Sequence, residues 1–150
     1  MEFQQQEDLK ATGEVKIQLL DAAGNIKEER KVKNLVVTAG KTYIAARMQG
    51  SSIPTVMGFM AIGTSPTTPA VGQTALQIEA GRVALASFSS SANQVTATAT
   101  FPAGTGTGAI TEAGIFNANS AGTMLCRTTF PVVNKAAGDS IAITWVVTVS

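Results

Sequence analysis

The run SIAITWVVTV at 140–149 decides the fold class. Ile141, Ile143, Trp145 and Val147 fall on alternate positions, with Ala142, Thr144, Val146 and Thr148 between them. Successive side chains of an extended chain point to opposite sides, so a period of two marks a β-strand with one face in a core. The same alternation occurs near the start, where Val15, Ile17 and Leu19 interleave with Glu14, Lys16 and Gln18. Asp21-Ala22-Ala23-Gly24-Asn25 then supplies turn chemistry, because Gly24 and Asn25 tolerate positive φ. A return strand at 26–37 completes a hairpin, charged first (Lys27, Glu28, Glu29, Arg30, Lys31, Lys33) and apolar at its end.

Further along, TAGKTYIAARM at 38–48 is the one convincing helix. Thr38 is placed to cap it, Tyr43, Ile44, Arg47 and Met48 recur at three- and four-residue spacing, and Gly50 ends it. One short helix among many strands predicts a plug or lid on a β-fold. The nearly continuous apolar run at 57–63 reads as a buried strand, and the two prolines and glycine of 64–73 as a loop. Residues 74–79 are ambiguous. Five more strands are predicted at 83–90, 94–101, 109–118, 123–130 and 140–149, with turn clusters between them and a close hairpin turn at 119–122. Short strands punctuated this regularly predict a single antiparallel β-sandwich, jelly-roll-like, over 12–150, with an extended N-terminal arm at 1–11. The arm has Phe3 and Leu9 as its only large apolar anchors. It is either a frayed end or an extension that orders against a neighbouring subunit, and on the second reading Phe3 and Leu9 bind the partner.

A chain of 150 residues has room for one ordinary core. Its single cysteine, Cys126, excludes an internal disulfide framework and cysteine-built zinc sites. Having no histidine removes the Ser-His-Asp and Cys-His pairings and histidine metal sites. A formal net charge of +1 argues against a nucleic-acid footprint, which needs clustered Lys and Arg. Fifteen of the 21 charged side chains lie in residues 1–50. The other hundred residues hold only Glu79, Arg82, Glu112, Arg127, Lys135 and Asp139, with Ala, Thr, Ser, Gly and Val in the place of charge. Such a surface is cheap to desolvate and lacks the charges that keep monomers apart. It is either a plain Thr-rich solvent face or a surface covered by copies of itself or by a larger assembly. The polar, acidic opening MEFQQQEDLK predicts no leader, and no apolar stretch is long enough to span a membrane. With an unpaired cysteine, synthesis in a reducing cytoplasm is the simplest expectation.

The motifs that carry chemistry elsewhere are weak here. FPAGTGTGAIT at 101–111 is glycine-rich but lacks the Lys-Ser/Thr of a P-loop and does not open a helix, so it reads as a loop. Glu79, Glu112 and Asp139 are too few and too near cations to suggest a glycosidase pair, and ion pairs are expected instead, Arg82 serving Glu79. Glu112 stands out as a carboxylate inside an otherwise apolar strand, whereas Asp139 after Gly138 reads as turn chemistry. Cys126 reads as a small core hydrophobe. The few aromatics do not interleave with basic residues, and no calcium loop occurs. The chain is therefore expected to be no enzyme, with no catalytic residue, metal or cofactor.

Three segments together resemble small structural proteins of tailed-bacteriophage virions: NLVVTAGKTYIAARM (34–48), MGFMAIGTSPTTPAVGQTALQIEAGRVAL (57–85) and ITEAGIFNANSAGTMLCRTTFPVVNKAAGDSIAITWVVTVS (110–150). Similar stretches occur in capsid decoration (cement) proteins and in tail-fibre or collar proteins. The resemblance implies a β-rich virion component without catalytic activity. The absence of a collagen-like, coiled-coil or repeat region favours a decoration protein. Such a protein binds the major capsid protein on the outer shell, pairs with itself (a homotrimer is expected), and contacts neither nucleic acid nor membrane. A tail, collar or fibre-attachment subunit is the alternative, and a carbohydrate-binding β-sandwich module a more distant one.

Overall fold

The computed structural model describes residues 7–50 and 52–150. Nine strands and one helix follow in the order β1 (Ala11–Leu20), β2 (Ile26–Val36), α1 (Thr38–Gln49), β3 (Phe59–Gly63), β4 (Glu79–Ala84), β5 (Ser87–Ser91), β6 (Gln94–Phe101), β7 (Gly108–Phe116), β8 (Met124–Lys135) and β9 (Ser140–Val149). They form one antiparallel sheet in the order β4-β3-β7-β8-β2-β1-β9-β6-β5. The sheet curls over a single main core. Its two parts meet along a narrow seam, where β2 pairs with β8 only at Leu35↔Arg127 and Val36↔Cys126.

The alternation read from the sequence sets the inner face. Val15, Ile17 and Leu19 from β1, Ile141, Ile143, Trp145 and Val147 from β9, and Ala97, Ala99 and Phe101 from β6 all join this core. Met60 and Ile62 from β3, Ile110 and Ile115 from β7, and Phe130 and Val133 from β8 meet them from the other part of the sheet. β3 is buried on both sides, as its unbroken apolar run predicts. Ala61 joins Phe116, Met124, Val37 and Leu76 in a second cluster. Leu76 belongs to segment 64–78, so this loop covers the outer face of that part of the sheet.

Several boundaries differ from the sequence reading. The run at 83–90 is not one strand: β4 and β5 lie at opposite edges of the sheet, joined by Leu85 and Ala86. Leu85 N donates to Gly58 O (2.9 Å) and Ala86 N to Thr98 O (2.8 Å), so this short link ties one edge to the other. β8 continues through Pro131, which is tolerated because the β7–β8 register shifts there, between Ile110↔Val133 and Glu112↔Thr129. Val37, not Thr38, holds the N-cap position of α1, without a side-chain cap. Gly50 ends the helix in the left-handed conformation, with φ of 80°. The helix approaches β8 closely because Gly40 has no Cβ; one built there would overlap the Leu125 carbonyl.

A candidate interaction surface

The outward positions of β9, β6 and β5 carry no charge. Three registers cross them: Ser87↔Thr98↔Thr144, Ser89↔Thr96↔Val146 and Ser91↔Gln94↔Thr148. Thr100 and Ala142 extend the same face. Hydroxyls pair within it, Ser87 Oγ with Thr98 Oγ1, and Gln94 Nε2 donates to Thr148 Oγ1 (3.2 Å). Charge returns only at β1 and β2, where Glu14 and Lys16 stand opposite Val146 and Thr144, and Lys33 and Lys31 stand beyond them. At the far side the face runs out at β5, which among the described residues pairs only with β6 and is exposed along its whole length. Soluble proteins usually protect such an edge with charge, proline or a bulge. β5 has none of these, and residues 83–111 hold no charged side chain at all.

Below this face an apolar groove of about 390 Å³ opens between α1 and the inner sides of β5, β6 and β9. Tyr43, Ile44, Met57, Phe88, Trp145 and Val147 are among its walls. The Tyr43 hydroxyl accepts a hydrogen bond from Met57 N (3.1 Å), fixing the helix against the chain that enters β3. Trp145 is fully buried, and its Nε1 has no hydrogen-bond partner among the described residues. Phe88 is the one exposed aromatic among the described residues, at 42 %.

The carboxylates singled out in the sequence are all in ion pairs. Glu112 and Arg127, neighbours across β7 and β8, are both fully buried. Glu112 Oε1 accepts from Arg127 Nε (3.1 Å) and Nη2 (3.0 Å) and from Gln77 N (2.9 Å). Its Oε2 accepts from Ser65 N and Ile78 N, both at 2.9 Å. The remaining Arg127 nitrogen, Nη1, donates to Thr67 O (2.7 Å) and Gln73 Oε1 (3.1 Å). Every free side of this pair is spent on segment 64–78, so it works as a clasp holding that loop to the sheet. Five donors saturate a carboxylate, which leaves it no lone pair for a substrate.

Glu79 pairs with Arg82 through two of its three guanidinium nitrogens, Nη2 (2.6 Å) and Nε (3.1 Å). Arg82 also stacks 3.8 Å over the Phe116 ring and donates to Ala118 O and Ala121 O, pinning the hairpin turn after β7. Asp139 accepts from Lys27 Nζ (2.9 Å) and Ala136 N (3.0 Å). The Lys27 contact, then the Ala136 amide, hold its pKa below the ordinary value. Lys135 donates to Pro102 O (2.9 Å), anchoring the glycine-rich loop, and burial lowers its pKa. That loop turns through positive φ at Gly104 and Gly106, and Gly106 packs against Ile62. Burial also pushes the Cys126 thiol far above its ordinary value.

Of the two arm residues proposed to bind a partner, Phe3 lies outside the described residues. Leu9 is 80 % exposed. Beside it, Lys10 exchanges backbone hydrogen bonds with Ser150, fastening the arm's base to the end of β9 (2.7 and 2.8 Å). Sequence reasoning missed the groove and the Glu112 partner, because both join residues far apart in the chain. Among the described residues no group of three or more His, Cys, Asp or Glu could hold a metal ion, and no helix is long and apolar enough to cross a membrane. The sequence matches no protein-family model, and neither the curated proteins nor the solved structures contain a match to it.

Proposed function

We propose that this chain is a structural protein of a tailed-bacteriophage virion, a decoration protein that binds the outer capsid surface and stabilises the shell through contacts to the major capsid protein and to its own copies. The observation that carries this reading is the uncharged hydroxyl face of β9, β6 and β5, ending in an open, uncharged edge. Serine and threonine are cheap to desolvate, and a surface without like charges meets copies of itself without repulsion. On a symmetric shell many weak contacts of this kind add up through avidity. The curled sheet over one core serves as a jelly-roll-like sandwich, rigid enough to present such a face. The arm, through Leu9 and Phe3, reaches the partner. Catalysis has no part in this role, and the clasped state of Glu112 fits it.

Electron cryo-microscopy of virions carrying the chain, with copy number from quantitative mass spectrometry, tests the reading. Density repeating with the icosahedral lattice, in many copies per particle, is the expected result. Density confined to the tail or collar, in a few copies, overturns the shell assignment in favour of a tail subunit. Absence from particles overturns both.

A further inference from the structure

We infer that β5 pairs edge to edge with β5 of a second copy, antiparallel and centred on Ser89, so that two sheets join into one across a two-fold axis. The turn after β5 fixes which groups face outward. Ser91↔Gln94 closes a two-residue loop, Ala92-Asn93, in which Ala92 has a φ of 52°. The residues flanking such a loop exchange backbone hydrogen bonds, and pairs of this kind alternate along an antiparallel ladder. Ser91, Ser89 and Ser87 therefore turn their amides and carbonyls toward β6, whereas Phe88 and Ser90 turn theirs away from it. Asn93 steadies the turn, its Nδ2 donating to Val149 O (2.8 Å) and its carbonyl accepting from Val149 N (2.9 Å). Among the described residues no strand lies on the outward side of β5.

This edge is complementary to itself in one register. With Phe88 opposite the second copy's Ser90, and Ser90 opposite its Phe88, every outward amide of the two strands meets an outward carbonyl. A shift by two residues in either direction keeps only half of those bonds within β5. On the outer face Ser89 then meets Ser89 and Ser87 meets Ser91, hydroxyl against hydroxyl, and such cross-strand pairs hydrogen-bond. Phe88 stands opposite the buried Ala97, so its ring lies on the inner face, where it is 42 % exposed. In the pair it lies beside the second copy's Ser90 and diagonally across from its Phe88, and the two rings shield each other. No charged side chain within 83–111 opposes the approach. A foreign strand finds backbone groups here but little to select its side chains, since four of the five residues are serine; a second copy matches at every position. Five residues bury less than a standard stable interface, so the contact is weak in dilute solution and gains from a high local concentration. This inference deepens the self-contact in the proposed function and rests on that part of it alone.

Cysteine cross-linking of the purified full chain tests it. Ser89 meets its copy at a non-hydrogen-bonded position, where Cα atoms approach to about 4.5 Å, within disulfide range. Ser87 faces the second copy's Ser91, and the two Ser87 residues stay about 13 Å apart, beyond that range. The native Cys126 is buried and does not compete. Under mild oxidation Ser89→Cys should form a disulfide-linked dimer in a yield that rises with protein concentration. Ser87→Cys and Ser91→Cys should each give at least about tenfold less when alone, and linkage should return when these two variants are mixed. Ser90→Pro added to Ser89→Cys removes one outward amide per copy without touching the β5–β6 ladder. It should cut the yield by about tenfold, the ratio for two lost hydrogen bonds. A yield from Ser89→Cys no higher than from Ser87→Cys overturns the inference. So does a yield indifferent to Ser90→Pro in a protein whose urea unfolding shows it folded. No virion enters this experiment, so its failure leaves capsid binding to the particle test.

Discussion

Glu112→Gln is the sharpest test of the clasp. The substitution keeps shape and volume and changes two things. It removes the negative charge facing the buried Arg127, and it replaces one acceptor oxygen by an NH2 donor. Every ligand of Glu112 is itself a donor: Arg127 Nε and Nη2 and Gln77 N on one oxygen, Ser65 N and Ile78 N on the other. Whichever way the amide is turned, two or three donors face a donor. Breaking a buried ion pair from one side costs about 3–5 kcal/mol, and each orphaned buried N–H about 1–3 kcal/mol. The full sum will not appear, because segment 64–78 can peel away and let water reach the stranded groups. The cost is then capped by what docking of that segment contributes, including burial of Leu76. We expect a loss of about 3–5 kcal/mol, which for a chain of this size lowers the thermal midpoint by roughly 6–20 °C. Urea unfolding gives the free energy, and hydrogen exchange at the Ser65, Gln77 and Ile78 amides locates it. A loss below about 1 kcal/mol, with those three amides still protected, would refute the claim that this carboxylate holds the loop.

Other consequences can be checked with similar tools. Gly63→Ala should cost about 1–3 kcal/mol by overpacking, since a Cβ there meets the Ile78 carbonyl and lies 2.7 Å from Glu112 Oε2; a neutral result in urea unfolding would contradict that packing. Asp139 has a folded-state pKa below its ordinary 3.8, so its contribution is present above pH 3.8 and is lost as pH falls through the lower folded value. The acid limb of a stability-versus-pH curve should therefore flatten in Asp139→Asn, most visibly below pH 3.8. Thr98→Lys with Thr144→Lys puts two neighbouring charges on the hydroxyl face. Stability should move by only about 0.5 kcal/mol per site, while occupancy on particles falls; unchanged occupancy would remove this face from the interface.

Strands whose two faces differ were readable from the sequence, and contacts between distant strands were not. β1, β6 and β9 alternate cleanly because one side faces the core and the other faces outward, and Gly24 and Gly50 mark true stops. The strand expected at 123–130 runs on to Lys135 through Pro131, and the register shift that accommodates the proline depends on β7, twenty residues away in sequence. The run at 83–90 shows no break because Leu85 and Ala86 carry no glycine, proline or turn chemistry, and only the sheet order shows that the chain changes edges there. Glu112 was conspicuous as a carboxylate among apolar residues, but its role depends on Arg127 and on three amides from segment 64–78, which no local pattern links. The uncharged stretch was visible as composition. That it forms one continuous face ending at a bare edge required the registers of β5, β6 and β9.

The position of β9 has a consequence in time. It is synthesised after every strand it joins, yet it lies between β1 and β6, in the middle of its part of the sheet. On a ribosome making about 5–20 residues per second, roughly 6–26 s pass between completion of β1 and completion of β9. Throughout that interval β1 presents an unpaired inner edge, joined by that of β6 once residue 101 has been added, and the Trp145 side of the core is missing. The nascent chain therefore cannot close strand by strand as it emerges, and truncation before Ser140 would remove a central strand of the sheet.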